Sequence, residues 1–521
     1  MTRTTNNTFF AGLACVAAVC VLLLWQKICK SRPSWIQNLD SLGRTRAAKL
    51  PGNAVVCGGS VAGIVTARIL ADHFEHVYLV DPEIGDMDKP KTRILQYHAG
   101  HVFLGLFVQG ARRLWPNFDV ELAAAGARFV PADLQVHFSG VLLLTPYHDY
   151  PPGCLPDTLV TRRSTAQVAL EKVLTQHPTS ANITMVAGTV RSIRLLDGKT
   201  SIESVLVRKS DGTQMSLGDV GLVADCTGAT QAGLKWLESA GISLPRSLRA
   251  CYTANLAYVT ICFTVAPKLE EMLSLPEWTK KTTALYAYSN SSSSVLALIK
   301  TDNGTMQFLC GDAGSFDLPR TSADVIPFLA RMQGKADMPS WFISTMSILC
   351  ERGNPSFNNI RIPTQSYVQY HSLPEAKLPS NFVAIGDANL QLNPMHAQGF
   401  AKIMLNALVL NALLNTVKLD ATELPRDFSK RYFKANALNT QGLWDATRFH
   451  DYGSPNCQPV EGETTENGRF ARWFGFKLIS AATKDEEVAS ALWHVRHMFA
   501  ADKALFAPRI LWKVLWTRSL F

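Results

Sequence analysis

Charge is sparse in this 521-residue chain: 18% of the residues are charged and 47% are hydrophobic. That composition excludes a disordered chain. No short period recurs, which removes coiled coils, collagen-like repeats and solenoids. An excess of one sign is missing as well. The 51 basic and 42 acidic residues leave +9, a mild surplus that suits phosphate-bearing ligands or an anionic membrane surface. Nucleic-acid binders usually concentrate far more on one face, so no nucleic acid is expected. The 11 cysteines are odd in number and form no C-x-x-C pair. Neither a disulfide framework nor a structural zinc site follows, and a reducing compartment is the simpler reading. No H-x-x-x-H or facial triad lies on one element, so no metal is expected.

Long hydrophobic runs are scarce too, with one exception. Thr4 to Trp25 carries no charge, and Phe9–Trp25 (FFAGLACVAAVCVLLLW) is strongly apolar. About 20 helical residues span a bilayer core. A cleaved signal peptide would want basic residues before the run and small ones after it. Only Arg3 precedes, and Trp25-Gln26-Lys27 follows. Residues 1–26 therefore read as a single-pass transmembrane helix and 27–50 as a linker. Lys27, Lys30 and Arg32 place the body in the cytosol by the positive-inside rule, with the endoplasmic reticulum the expected membrane.

Behind the linker, Asn53–Val56, a glycine turn, a helical run and His76–Val80 read as strand–turn–helix–strand, the opening of a nucleotide-binding βαβ unit. Val108–Leu122 and Thr165–Leu174 read as helices. Ile183–Val190 and Ser201–Val207 read as strands joined through Asp197-Gly198. Between Tyr252 and Cys310 the pattern turns to period two, as in Ala257–Val265 and Ala284–Tyr288, which predicts an inserted antiparallel sheet. Val383–Gly386 is a short buried strand and Gly399–Leu414 a long helix, and beyond about 420 the chain reads as helical. The expected division is 51–240 and 365–416 for the nucleotide domain, 241–364 for the sheet, and 417–521 for a helical extension. In the tail, Arg509, Lys513 and Thr517 make one polar stripe, while Trp512, Leu515, Trp516 and Leu520 cover the rest of the helix. That pattern suits either a membrane surface or packing on the body.

The chemistry-bearing residues are ordered along this frame. In Val55–Gly63 (VVCGGSVAG), Gly58 permits a tight turn and Gly63 close packing of helix on strand. Gly59 and Ala62 complete the motif, and Ser60 stands where a second glycine normally lets the backbone approach a pyrophosphate. Asp81 ends the second strand, where a carboxylate can accept from ribose hydroxyls. Two later segments follow: Leu222–Ala229 (LVADCTGA), and Gly386-Asp387 leading to Asn393–Gly399 (NPMHAQG). A helix opening at Gln398-Gly399 can aim N–H donors and its positive dipole end at an anionic ring. For His98, His101 and His396 a structural or surface role is the better expectation, since only geometry and pKa make an acid or base.

This ordered set resembles the single-component FAD-dependent monooxygenases over roughly residues 53–416. Within them it is most similar to the branch of polyether-type epoxidases and related secondary-metabolism FAD oxidoreductases. Residues 93–101 (RILQYHAGH), Leu159–Arg162 (LVTR) and Trp236-Leu237 carry the finer likeness; Ser60, Asp81, Arg162-Arg163-Ser164 and Met395-His396-Ala397 depart from it. The resemblance implies an α/β fold with a Rossmann-type FAD-binding domain of the glutathione-reductase kind, as in aromatic hydroxylases, interrupted by a β-sheet substrate domain. It also implies that Gly58, Gly59, Ser60, Ala62, Gly63, Asp81, Gly386, Gln398 and Gly399 line the cofactor. Asp387 would reach its ribityl–phosphate chain, with Arg93 and Arg162 nearby. The implied reaction is epoxidation or hydroxylation of a hydrophobic small molecule through a flavin C4a-hydroperoxide. With one glycine-rich dinucleotide turn, NAD(P)H is expected as a transient reductant, or an external reductase as electron source. No W-x-W-x-I-P segment of the flavin halogenases is present. An FAD-dependent dehydrogenase or prenyl reductase, and a non-catalytic membrane-tethered scaffold, remain as alternatives.

Overall fold

The computed structural model describes residues 21–29, 31–87, 89–151, 153–198, 201–273, 275–289, 294–312, 317–332 and 337–519. Residues 21–29 are helical, and the rest of the expected N-terminal anchor lies outside the described residues. Among the described residues no helix is long and apolar enough to cross a membrane.

The chain builds two sheets. The first has seven strands in the order Phe382–Ala384, Val220–Asp225, Leu50–Cys57, Phe74–Asp81, Ile183–Leu195, Ile202–Lys209, Gln214–Leu217. The first five run parallel and the last two return antiparallel. Its central strands are apolar without alternation because both faces are covered, as parallel sheets require. Ala54, Val55 and Val56 are fully buried, as are Leu222, Val223 and Ala224. The helices Val61–His73 and Gly399–Asn415 pack against each other beside this sheet.

The second sheet has eight strands, ordered Leu390–Gln391, Ser356–Val368, Arg249–Thr264, Thr305–Asp312, Val295–Lys300, Tyr286–Ser289, Val136–Phe138, Val141–Leu142. Alternation along Arg249–Thr264 sorts its side chains. Val259, Ile261 and Phe263 join a core with Phe328, Leu329, Phe342 and Met346 of two covering helices. Thr260 looks the other way, where its hydroxyl accepts from Gly100 N at 2.9 Å. So the far face of this sheet is turned toward the segment 93–101.

Some elements differ from the sequence reading. The sheet also recruits Val136–Leu142 and Leu390–Gln391 from outside 241–364, because strand pairing is not limited to neighbours in sequence. The expected single helix Val108–Leu122 is two helices, Gly105–Leu114 and Phe118–Ala124. Pro116 lies in the break; it lacks an N–H and disfavours helical backbone at the residue before it. After residue 420 come four helices, Phe428–Asp451, Arg469–Ala482, Glu486–Arg496 and Pro508–Trp516. The tail helix stops at Trp516, so Thr517 is its C-cap and not a further turn of the polar stripe.

Candidate functional site

The first strand ends at Cys57, and the chain turns through Gly58-Gly59-Ser60 into the helix at Val61. Gly58 has φ +116°, and a Cβ there would stand 2.4 Å from the carbonyl oxygen of Cys226. A Cβ on Gly63 would stand 1.7 Å from Gly58 O. Only glycine fits either position. Asp81 fastens the turn: its carboxylate accepts from Gly59 N at 2.8 Å and from Glu83 N at 2.8 Å. Each carboxylate oxygen keeps acceptor capacity for a hydroxyl.

Ser60 has φ −79° in extended backbone, so no glycine is needed there. Its hydroxyl accepts from Arg163 Nη2 at 2.8 Å. Arg163 is 4% exposed, and the same Nη2 donates to Gln167 Oε1 at 2.9 Å. Nη1 is buried without a hydrogen-bond partner. Burial pulls this guanidinium down to about 10, which leaves it protonated at neutral pH. Gln167 continues the network by donating to Gly59 O and to Glu171, and Glu171 is itself paired with Lys91 at 3.3 Å. A buried cation with an orphaned donor therefore lies beside the positive end of a helix.

Arg162, the neighbour that the sequence reading selected, points elsewhere. It is the N-cap of the helix Arg163–Gln176 and is bound to Asp302, whose side chain is fully buried. Nε and Nη2 reach one carboxylate oxygen at 3.0 and 2.8 Å, and Arg162 N reaches the other at 2.6 Å. Arg93 has an exposed side chain, and its backbone N donates to Glu83 at 3.2 Å. The structure thus brings Gly58, Gly59, Ser60, Ala62, Gly63 and Asp81 together; Arg93 joins them through Glu83, and the Arg162 side chain is turned to Asp302.

The loop at Gly386-Asp387 meets the same helix. Gly386 has φ +68°, and its missing Cβ would stand 3.2 Å from Ala62 Cβ. Its N–H donates to Asn406 Oδ1 at 2.8 Å. Asn406 donates to Asn436, and Asn436 to Asn389, a run of buried amides that ties the loop to the helix Phe428–Asp451. Asp387 is half-exposed and binds Lys402 Nζ at 2.5 Å; that ammonium is 1% exposed and also donates to Leu390 O. Asp387 is therefore an ion-pair partner and not a helix cap. Six residues after Asp387, Asn393 donates to Asp451 at 3.0 Å, and Asp451 also accepts from the Tyr252 hydroxyl at 2.7 Å.

At the helix start, Gln398 Oε1 is buried without a partner and Gly399 opens onto free space. Of the histidines, His98 is exposed. His101 lies edge-on to Phe400, 5.6 Å between ring centres, and burial with the nearby Arg163 charge pushes it down to about 4, so it is neutral at pH 7. His396 Nε2 lies 3.5 Å from Asp451 Oδ1, and His450 Nδ1 lies 3.5 Å from the same oxygen. These two histidines and Asp451 form a compact group contributed by two elements. Reading for ligands on one element passed over it. Arg163, Lys402, the buried asparagines and Asp451 were all missed, because each acts across a distance in sequence that no local spacing records.

No protein-family model matches this sequence, and no curated protein does. The fold, however, is shared with solved flavoproteins. PqsL, a probable FAD-dependent monooxygenase from Pseudomonas aeruginosa, aligns with TM-score 0.54 and 14% identity over 82% of this chain and 99% of its own. The flavin-dependent brominase Bmp2 aligns with TM-score 0.56 and 13% identity, over 89% and 98%. A flavoprotein/dehydrogenase from Cytophaga hutchinsonii aligns with TM-score 0.58 and 12% identity, over 88% and 96%. At these identities the likeness is one of fold.

Proposed function

We propose that this chain is an FAD-dependent monooxygenase that oxidises a hydrophobic small molecule. The observation that carries the reading is Arg163, a buried guanidinium with an unpartnered Nη1 beside the glycine turn and the N-terminus of the helix Val61–His73. A buried guanidinium whose Nη1 has no partner, beside a helix N-terminus, suits a pyrophosphate. The residues present fit FAD: Gly58, Gly59, Ser60 and Arg163 would hold the pyrophosphate, and Asp81 the ribose. Asp387 would hold the ribityl hydroxyls, and the Gln398-Gly399 helix start the ring. When bound, FAD supplies oxygen activation with electrons from NAD(P)H. The chain's own part is to orient and to exclude water. The Ala62–Gly386 contact sets the spacing of the two loops. Thr260 and Tyr258, buried on the far face of the second sheet, meet Gly100 and Ala99 of the segment 93–101.

Epoxidation of an alkene is the preferred reaction, within secondary-metabolite biosynthesis. We further propose that Phe9–Trp25 anchors the enzyme in a membrane, with the body cytosolic and a lipophilic substrate reaching it from the bilayer. The Cytophaga flavoprotein/dehydrogenase favours a second reading, in which the same fold removes hydride equivalents from the substrate. The test is an absorbance spectrum of purified full-length protein incubated with FAD and then freed of unbound flavin by gel filtration, before and after NADPH in air. Bands near ~375 and ~450 nm that bleach and return support a reducible flavoenzyme. Labelled O2 entering a product then separates oxygenase from dehydrogenase. A protein that stays colourless with added FAD refutes both and leaves a scaffold.

A further inference from the structure

The C-terminal helices carry aromatic side chains that the fold does not bury. In Pro508–Trp516, Ile510 and Val514 face inward, while Trp512, Leu515 and Trp516 are 64%, 51% and 72% exposed. Trp512 and Trp516 lie 5.2 Å apart between ring centres. On the neighbouring helix Arg469–Ala482, Phe470 and Trp473 are also exposed and lie 5.4 Å apart. Phe474 of that helix stacks on Phe506, itself part-exposed, at 5.2 Å. Lys477 donates to Thr517 O and so fixes this helix against the end of the tail helix. Single exposed apolar residues need no explanation, but a contiguous aromatic group does.

What covers this group is indicated by where the N-terminal run ends. The helical residues 21–29 leave Val21, Leu22, Leu23, Leu24 and Ile28 exposed, yet Cys29 is buried in one core with Leu478, Ala481, Ile510 and Val514. Lys503 then donates to Ser31 Oγ at 2.7 Å. The chain four residues after Trp25 therefore meets the body on the very helices that display the aromatics. Nine residues, about 14 Å of helix, are too short to cross a bilayer. Trp512 and Trp516, flanked by Arg509 and Arg518, instead suit the headgroup layer, where indoles prefer to sit and cations meet anionic lipid.

We infer that Pro508–Trp516, with Phe470, Trp473 and Phe506 beside it, lies in the headgroup layer of the bilayer that receives the N-terminal run. The inference rests on the anchor reading above and adds a second, independent point of contact, which fixes the orientation of the body on the membrane. The test uses the full chain in vesicles of phosphatidylcholine with a minor share of phosphatidylserine, the phosphatidylcholine brominated on its acyl chains to quench indoles in contact with lipid. The comparison is W512F/W516F, which removes two of the 11 tryptophans at exposed positions and keeps their apolar character. The lipid-quenched share of the emission is expected to fall by about half in the variant, because two interfacial indoles are lost while Trp25 and Trp473 remain. Equal quenching in both proteins overturns the inference. A W512S/W516S variant that turns an oligomer into a monomer, with quenching unchanged, overturns it in favour of a contact between copies of the chain. Protein that floats with the vesicles but shows no quenching from Trp512 and Trp516 fails this inference alone. Protein that does not float fails the anchor reading with it.

Discussion

Removing the Asp387 carboxylate perturbs two things at once, and a double-mutant cycle separates them. Lys402 Nζ is almost fully buried and has two acceptors, Asp387 Oδ1 at 2.5 Å and the Leu390 carbonyl. Asp387→Ala strands that ammonium. Breaking a buried pair by deleting one partner costs about 3–5 kcal/mol. Asp387 is half-exposed, so water reaches the gap and the expected loss drops to about 2–3 kcal/mol. Lys402→Met removes the buried charge and leaves Asp387 in water, which is expected to be neutral within about 1 kcal/mol. The double variant should then recover most of the Asp387→Ala loss, a coupling of at least about 1.5 kcal/mol. The assay is thermal melting of apo protein, with FAD affinity measured separately by quenching of flavin fluorescence. Stability should return in the double variant, whereas FAD affinity should stay low in every variant without the carboxylate. An apo Asp387→Ala protein that melts like the wild type, with the double variant no better, refutes the ion-pair reasoning. Stoichiometric flavin in Asp387→Ala refutes the placement of this loop at the cofactor.

Two further outcomes follow from neighbouring geometry. Arg163→Met should raise the FAD dissociation constant at least about tenfold with little change in melting temperature, since it removes a charged donor and a costly buried charge together. Arg162→Met should instead destabilise by about 3 kcal/mol by stranding Asp302, with FAD affinity nearly unchanged; the opposite pattern reverses the assignment. Burial, with Arg496 and His494 nearby, pushes the His497 imidazole down to about 3. Unfolded chain therefore takes up a proton that folded chain refuses below about pH 6.5, and stability drops by about 1.4 kcal/mol per pH unit as pH falls from there toward 3. His497→Asn keeps an acceptor for Gly105 N, bound at 3.1 Å, and should flatten the melting temperature between pH 6 and 4.5; an unchanged slope refutes it.

How much of this was legible in the sequence depends on separation along the chain. The opening strand, glycine turn, helix and second strand are contiguous, and their glycines and periodicity are local signals. The inserted sheet announced itself by period two. Its outer strands did not, because Val136–Leu142 pairs with a strand some 150 residues later. Arg162 and Arg163 show the limit most sharply. Both are arginines at a helix start, but the first is an extended N-cap and the second the first helical residue, so their side chains leave in different directions. One turns to Asp302 and the other to Ser60. No spacing rule distinguishes them; only the fold does.

The departures from the family pattern also read differently once the contacts are known. Ser60 and the Met395-His396-Ala397 triplet are the residues that a decayed site would show. Yet Ser60 accepts from the buried Arg163, which a glycine in its place could not do. Met395 N donates to Asn393 Oδ1 at 2.9 Å, and its side chain reaches the place where a Cβ on Gly311 would stand, against the second sheet. His396 and Asn393 both face Asp451, the last residue of the helix Phe428–Asp451. Through its buried Asn436 that helix also reaches the Gly386 loop. Of the unusual residues, His396 is the one whose partner lies in the C-terminal extension, the part of the chain with no motif of its own; Ser60 and Met395 are matched to Arg163 and to the second sheet. A site drifting after loss of function has no reason to keep such matched pairs on distant segments. The extension braces the Gly386 loop through Asn436 and the Asn393–His396 segment through Asp451, and His396 is the altered residue that meets that brace.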